Sequence, residues 1–144
     1  AVLANPEHVF SFLDVPQDRV GKKKSPGAIF MLRLACKRSP IGMSVVRVED
    51  GKVLWSNLAI QRLLRYSAKE LAGMTFSKFT HPDDVEKQRD GYLKIRTGQH
   101  VSFDLKKRYI RKDGTSFGAH LVSTLMRRSN NKPMVVMGMI METE

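Results

Sequence analysis

The sequence predicts an α+β domain: a five-stranded antiparallel sheet with helices packed on one face, plus an N-terminal flanking helix. Three observations predict it. Apolar residues alternate with period two in two blocks, one after Ser39-Pro40 and one from Val101 onward, as half-buried strands require. Each block contains an Asp-Gly pair, Asp50-Gly51 and Asp113-Gly114, the strongest short signal for a tight hairpin. Between the blocks, residues 57–97 carry helix caps and helical spacing. Two hairpin-forming strand groups around a helical middle give an antiparallel sheet covered on one side.

Residues 1–27 are an N-terminal extension and linker, 28–40 the flanking helix and 41–144 the core domain. In the extension, Asn5-Pro6-Glu7 offers a capping Asn followed by Pro at the first helical position, which predicts a short helix. The run Gly21-Lys22-Lys23-Lys24-Ser25-Pro26-Gly27 has the composition of a linker. Residues 28–38 are apolar on most faces of a helix, so that helix needs partners on more than one side.

Met43 and Val45, then Val53 and Trp55, read as two strands joined by Glu49-Asp50-Gly51-Lys52. Asn57 stands where a cap is needed before Leu58-Ala59-Ile60. Ser67-Ala68-Lys69-Glu70 has the capping-box pattern, and Gly73 ends that short helix. Pro82 suits the first turn of a long helix, and Asp83, Asp84 and Glu86 fall at its positive end. Thr97-Gly98 stops it. Phe103 and Leu105 alternate with Asp104 and Lys106, and Phe117, Ala119, Leu121, Ser123 and Leu125 form the inward set of the next strand. Ser129 to Pro133 turns the chain into a last strand, Met134 to Met141.

Composition narrows the function. The 144 residues carry 25 Lys and Arg against 14 Asp and Glu, a net charge of +11. A basic nucleic-acid-binding module of a transcription regulator is therefore the alternative reading. The basic residues are dispersed, however, and form no zinc-finger, helix-turn-helix or RNA-recognition pattern. Cys36 is the single cysteine, which excludes an intramolecular disulfide. The longest apolar run, Ala28 to Leu32, is too short to span a bilayer, and no secretory signal opens the chain. The expectation is a cytoplasmic fragment of a larger protein with no membrane insertion.

His81-Pro82-Asp83-Asp84 is the one cluster with the look of reactive chemistry. A hydrolase reading would need a nucleophile motif or a third metal ligand at useful spacing, and none is present. Helix-start chemistry accounts for Pro82, Asp83 and Asp84 without invoking catalysis. The expectation is no catalytic residue and no metal site.

Five segments, in order, resemble a known family. Ser39-Pro40-Ile41-Gly42-Met43 is similar to the approach to the first strand of PAS sensory domains, and Asn57-Leu58-Ala59 to the end of their second. Leu63 to Gly73 resembles the LLGYS-x-x-EL-x-G segment. Phe79 to Asp84 resembles HPDD, and Lys107 to Gly114 resembles KRY-x-RKDG. The resemblance runs from Ala35 to Thr143. It implies the PAS fold and a role in signal transduction. Such a module senses a small ligand or mediates protein interaction and dimerisation. It relays to an effector in the same chain, such as a histidine kinase, a diguanylate cyclase or a cyclic-di-GMP phosphodiesterase. It implies structural motif residues at Asn57, His81, Pro82, Asp83, Asp84, Asp113 and Gly114. It further implies a ligand pocket lined by Met43, Val45, Leu63, Tyr92, Phe103, Phe117, Leu121 and Gly138, and a homodimer formed through residues 28–38, the sheet, or both.

No cofactor is expected. The flavin-adduct sensors of the superfamily need an Asn-Cys-Arg-Phe motif where this chain reads Gly73-Met74-Thr75-Phe76-Ser77. Haem sensors place a histidine on the long helix, and residues 84–96 contain none. A non-covalent small ligand stays open, its identity unspecified. Four methionines, Met134, Met137, Met139 and Met141, gather in the last strand and are expected to pack in a core. The chain departs from the family at Arg65, where Gly is usual, at Gly118, where an aromatic is common, at Lys106, where an acid is common, and at Met141-Glu142-Thr143 in place of Asp-Ile-Thr.

Overall fold

The two Asp-Gly turns fix two hairpins of the sheet. Gly51 and Gly114 take φ of 70° and 89°, the left-handed region in which a Cβ is penalised. Each preceding aspartate braces its own turn. Asp50 Oδ1 accepts from Lys52 N at 3.1 Å, and Asp113 Oδ1 from Thr115 N at 3.0 Å.

The computed structural model describes residues 34–126 and 135–143. The expected helix at Asn5, the linker, the first part of the flanking helix and the turn at 129–133 lie outside those residues. Residues 34–38 are helical. The elements then follow as β1 (Gly42–Arg47), β2 (Val53–Ser56), α1 (Leu58–Leu64), α2 (Ala68–Leu71), a 3-10 turn (Phe76–Phe79), α3 (Pro82–Arg96), β3 (Ser102–Ile110), β4 (Ser116–Met126) and β5 (Val135–Glu142). The five strands form one antiparallel sheet in the order β2-β1-β5-β4-β3. The first and last strands thus pair at its centre, and the helical segment crosses one face to join the edges. Among the described residues no helix is long and apolar enough to cross a membrane.

The caps form as their residue types require. Asn57 Oδ1 accepts from Ile60 N at 3.1 Å, and Ser67 and Glu70 exchange side-chain-to-backbone bonds in a complete capping box. Asn57 does more than cap. Its Oδ1 accepts from Met43 N at 2.8 Å, and its Nδ2 donates to Cys36 O and Ile41 O, both at 2.9 Å. One buried amide therefore uses its full bonding capacity to tie α1, β1 and the helical turn at 34–38 together.

The sheet buries apolar residues on both faces. Under the helices lie Val53, Ile60, Leu64, Leu71, Phe79, Tyr109, Phe117, Ala119, Leu121 and Ile140. Phe79, Tyr109 and Phe117 stack in series, with ring centroids 6.3 and 5.4 Å apart. The opposite face gathers Val45, Val135 and Met137 with Met43, Leu54, Trp55, Met126 and Met139. Of the four methionines expected to pack in a core, Met137 and Met139 do so, Met141 is 45% exposed, and Met134 lies outside the described residues. Met43 and Val45 correct the expected pocket, because they point away from the helices. Strand β1 is central, so both of its faces are apolar, and period-two alternation alone does not say which face meets the helices. A bulge between Val45 and Val46 shifts the register there.

Candidate functional site

Between α3 and the inner sheet face lies a cavity of about 40 Å³. Its walls are Ser44 and Val46 from β1, Val136, Gly138 and Ile140 from β5, Leu121 and Ser123 from β4, and Tyr109 from β3. Ile60, Phe76, Phe79, Gln88 and Tyr92 close it from the helical side, with Gly51 at one edge. Of the residues expected to line a pocket, Tyr92, Leu121 and Gly138 are here. Phe103 and Phe117 pack in the surrounding core, Leu63 does so while also facing an outer groove, and Met43 and Val45 lie on the other face. The cavity is polar at Ser44, Ser123 and Gln88, and it has room for one or two waters. Small-molecule pockets run to about 300–1,000 Å³.

Beside the cavity sits a buried lysine. Lys107 is 4% exposed. Its Nζ donates to Thr80 Oγ1 at 2.6 Å and to Gln88 Oε1, and it lies 4.0 Å from the centre of the Tyr109 ring. The Thr80 hydroxyl in turn donates to Phe76 O at 2.7 Å. Burial pushes the Lys107 ammonium down to about 7, while the negative charge of Asp84 works the other way. Burial likewise raises the Tyr92 and Tyr109 hydroxyls above the ordinary tyrosine value. Lys107 was not among the expected site residues. Its parity gave the signal, since it falls on the same side of β3 as Phe103, Leu105 and Tyr109.

The residues of the HPDD segment serve the architecture. His81 Nδ1 accepts from Asp83 N at 3.2 Å and Pro82 occupies the first turn of α3, so the histidine itself is the cap. Asp84 leaves that end of the helix and joins β3. It accepts from Arg108 N at 2.8 Å, Nε at 3.0 Å and a terminal nitrogen at 3.1 Å. These bonds hold its carboxyl at about 2. Asp83 is exposed and its carboxylate is 3.9 Å from both His81 and Arg108. Among the described residues, no group of three His, Cys, Asp or Glu side chains is placed to hold a metal ion.

A second hub ties the tip of the β3–β4 hairpin to the end of β5. Arg111 Nε donates to Leu63 O at 3.0 Å, one terminal nitrogen donates to Thr115 Oγ1 at 3.2 Å, and the other is 3.7 Å from Glu142. Its guanidinium lies 4.4 Å over the Phe117 ring. In addition, Thr143 N donates to Gly118 O at 2.9 Å. A Cβ at position 118 would sit 3.1 Å from Thr143 Oγ1, so the space left by this glycine is taken by the chain's own C-terminal segment.

Comparison with known proteins agrees with this geometry. The sequence profile of the family described as the PAS fold matches residues 31–143. In sequence, 108 residues are 33% identical to a protein named "Probable diguanylate cyclase DgcE" of Escherichia coli (strain K12); they make up 75% of this chain and 10% of that protein, so the chain spans about a tenth of its relative's length. In structure, a PAS domain from Colwellia psychrerythraea superposes with a TM-score of 0.72 at 16% identity, covering 81% of this chain and 97% of that one. A PAS domain from a two-component sensor histidine kinase gives a TM-score of 0.64 at 16% identity, covering 81% and 99%. With its sheet order, its capped helices and its family profile in agreement, this chain belongs to the PAS fold family.

Proposed function

We propose that this domain is the sensory and relay segment of a larger signalling protein and works with a packed interior. The observation that carries the reading is the inner cavity of about 40 Å³, an order of magnitude below what a bulky cofactor needs. Signals then enter through contacts on the surface or through a very small molecule. They leave at the end of β5, where Glu142 and Thr143 meet Arg111 and Gly118. The domain has no catalysis of its own, and the effector lies elsewhere in the same polypeptide. The 33% identity to a segment of a diguanylate cyclase supports an effector of that class, with a histidine kinase as the second choice by fold likeness. The reading includes a homodimer that acts in the cytoplasm. The half-buried Met43, Leu54 and Met139 on the sheet face away from the helices support a homodimer formed there together with the helical turn at 34–38.

Native mass spectrometry of the purified chain, with its absorbance spectrum, tests both parts at once. The expected result is a colourless dimer at the sequence mass. A chromophore, or added mass that survives gentle desolvation, would overturn the packed interior; a monomer at high concentration would overturn the dimer.

A further inference from the structure

Besides the inner cavity, the described residues form an outer groove of about 670 Å³. It runs between residues 37–40, the exposed side of α1, Arg65, Arg111 and the end of β5. Its volume lies within the range of small-molecule sites. Lys37, Arg38, Arg62, Arg65 and Arg111 line it, with Glu142 as the only lining carboxylate. Five cations less Glu142, and less the Asp113 that pairs with Arg65, leave a charge of +3 around one depression, and a concave wall focuses that field.

Two of the guanidinium groups are fixed before anything binds. Arg111 is held by Leu63 O, Thr115 Oγ1 and the Phe117 ring, and its side chain is only 16% exposed. Arg65 occupies the left-handed C-cap of α1 at φ 60°, the only non-glycine residue among those described with positive φ, and pairs with Asp113. Among the described residues Lys37, Arg38 and Arg62 have no ion-pair partner. Four of the five cations are arginines, whose planar forks match the oxygens of phosphate two at a time. The groove is also part apolar. Leu58 is 46% exposed there, beside Pro40 and Ala59, which gives a flat ring a surface to lie on.

We propose that this groove is a binding site for a nucleotide-sized ligand carrying two or more phosphates, with Arg38, Arg62 and Lys37 engaging the phosphates and Leu58 supporting the ring. The site is separate from the inner cavity, and the proposal stands whether or not the packed-interior reading holds. The phosphates meet Arg111 where Glu142 now faces it, so binding displaces Glu142 and alters the end of β5.

Isothermal titration of the full 144-residue chain with GTP, tripolyphosphate and a single-stranded oligonucleotide, at about 50 mM salt where phosphate contacts are weakly screened, tests this. GTP is expected to bind one to one. The Arg38→Ala/Arg62→Ala double variant, exposed positions that leave the melting temperature unchanged, should weaken GTP by about tenfold or more, as the loss of charged hydrogen bonds requires. Glu142→Gln should tighten it by removing the competing carboxylate, and Leu58→Ser should weaken GTP while sparing tripolyphosphate. Absence of saturable GTP binding, or binding that the double variant leaves intact, overturns the site. Tripolyphosphate binding as tightly as GTP, or an oligonucleotide outcompeting it through the same arginines, replaces it with a general polyanion surface.

Discussion

Asp84 and Arg108 join the first turn of α3 to the middle of β3 through three hydrogen bonds between 2.8 and 3.1 Å. One of them satisfies a backbone N–H. The carboxylate is 5% exposed, whereas the guanidinium is half in solvent.

The pair sets an acid limit on stability. The Asp84 carboxyl is lowered from 3.8 to about 2. A lowered folded value means that the stabilisation is complete above the unfolded value and lost as pH falls from about 4 towards 2. Asp84→Asn is expected to cost about 2 kcal/mol in urea unfolding at pH 7, and its stability should fall less steeply between pH 4 and 2. Asp83→Ala, at an exposed carboxylate, should stay within about 0.5 kcal/mol. Equal costs at both positions would assign the effect to the helix dipole.

Lys107 acts in the opposite sense. Its folded value is lowered from 10.5 to about 7, so between those values the unfolded chain binds more protons and stability rises with pH. Below pH 7 the ammonium is charged in both states and its full burial cost remains. From pH 7 to 9 the native chain should gain about 2 kcal/mol. Lys107→Met should show no such gain. A parallel pH profile for the two proteins would assign the slope to other groups.

Asn57 concentrates four hydrogen bonds on one side chain that is 1% exposed. Replacing it by Ala strands two buried amides and two carbonyls, for a cost of about 3 kcal/mol. Asn57→Asp keeps both acceptor contacts but turns a carboxylate oxygen towards Cys36 O and Ile41 O, so it should not restore stability. Thermal unfolding of the two variants checks this, and a rescued Asp variant would mean that capping alone accounts for the site.

Much of the fold was legible because local chemistry and tertiary structure agree. Asp50-Gly51, Asp113-Gly114, the Ser67 capping box and Pro82 each admit few conformations, and each forms as its residues dictate. The inner cavity was only half legible. Tyr92, Leu121 and Gly138 reach it, but on a central strand such as β1 both parities are apolar, so Met43 and Val45 pointed to the wrong face. Charge misled in the other direction. Lys107 and Arg108 are adjacent in sequence, yet one is buried under Thr80 and Gln88 while the other reaches outward to Asp84. The outer groove was not legible at all, since its walls come from four segments that only the folded chain brings together.

The inner cavity itself can be tested by filling it. Gly138 faces Ser44 across the β1–β5 pair, and a Cβ placed there would lie 3.2 Å from Ser44 Oγ and 3.6 Å from Leu121 Cδ1. The serine hydroxyl can turn aside, and alanine loses less backbone entropy on folding than glycine. Gly138→Ala should therefore be neutral or stabilising by about 0.5 kcal/mol. If the domain signals with a packed interior, the variant should also keep full output when the domain drives an effector in the complete protein. A folded variant whose output no longer responds would show that the small cavity admits the signal. A loss above about 1 kcal/mol would show instead that the interior is already filled to its limit at that point.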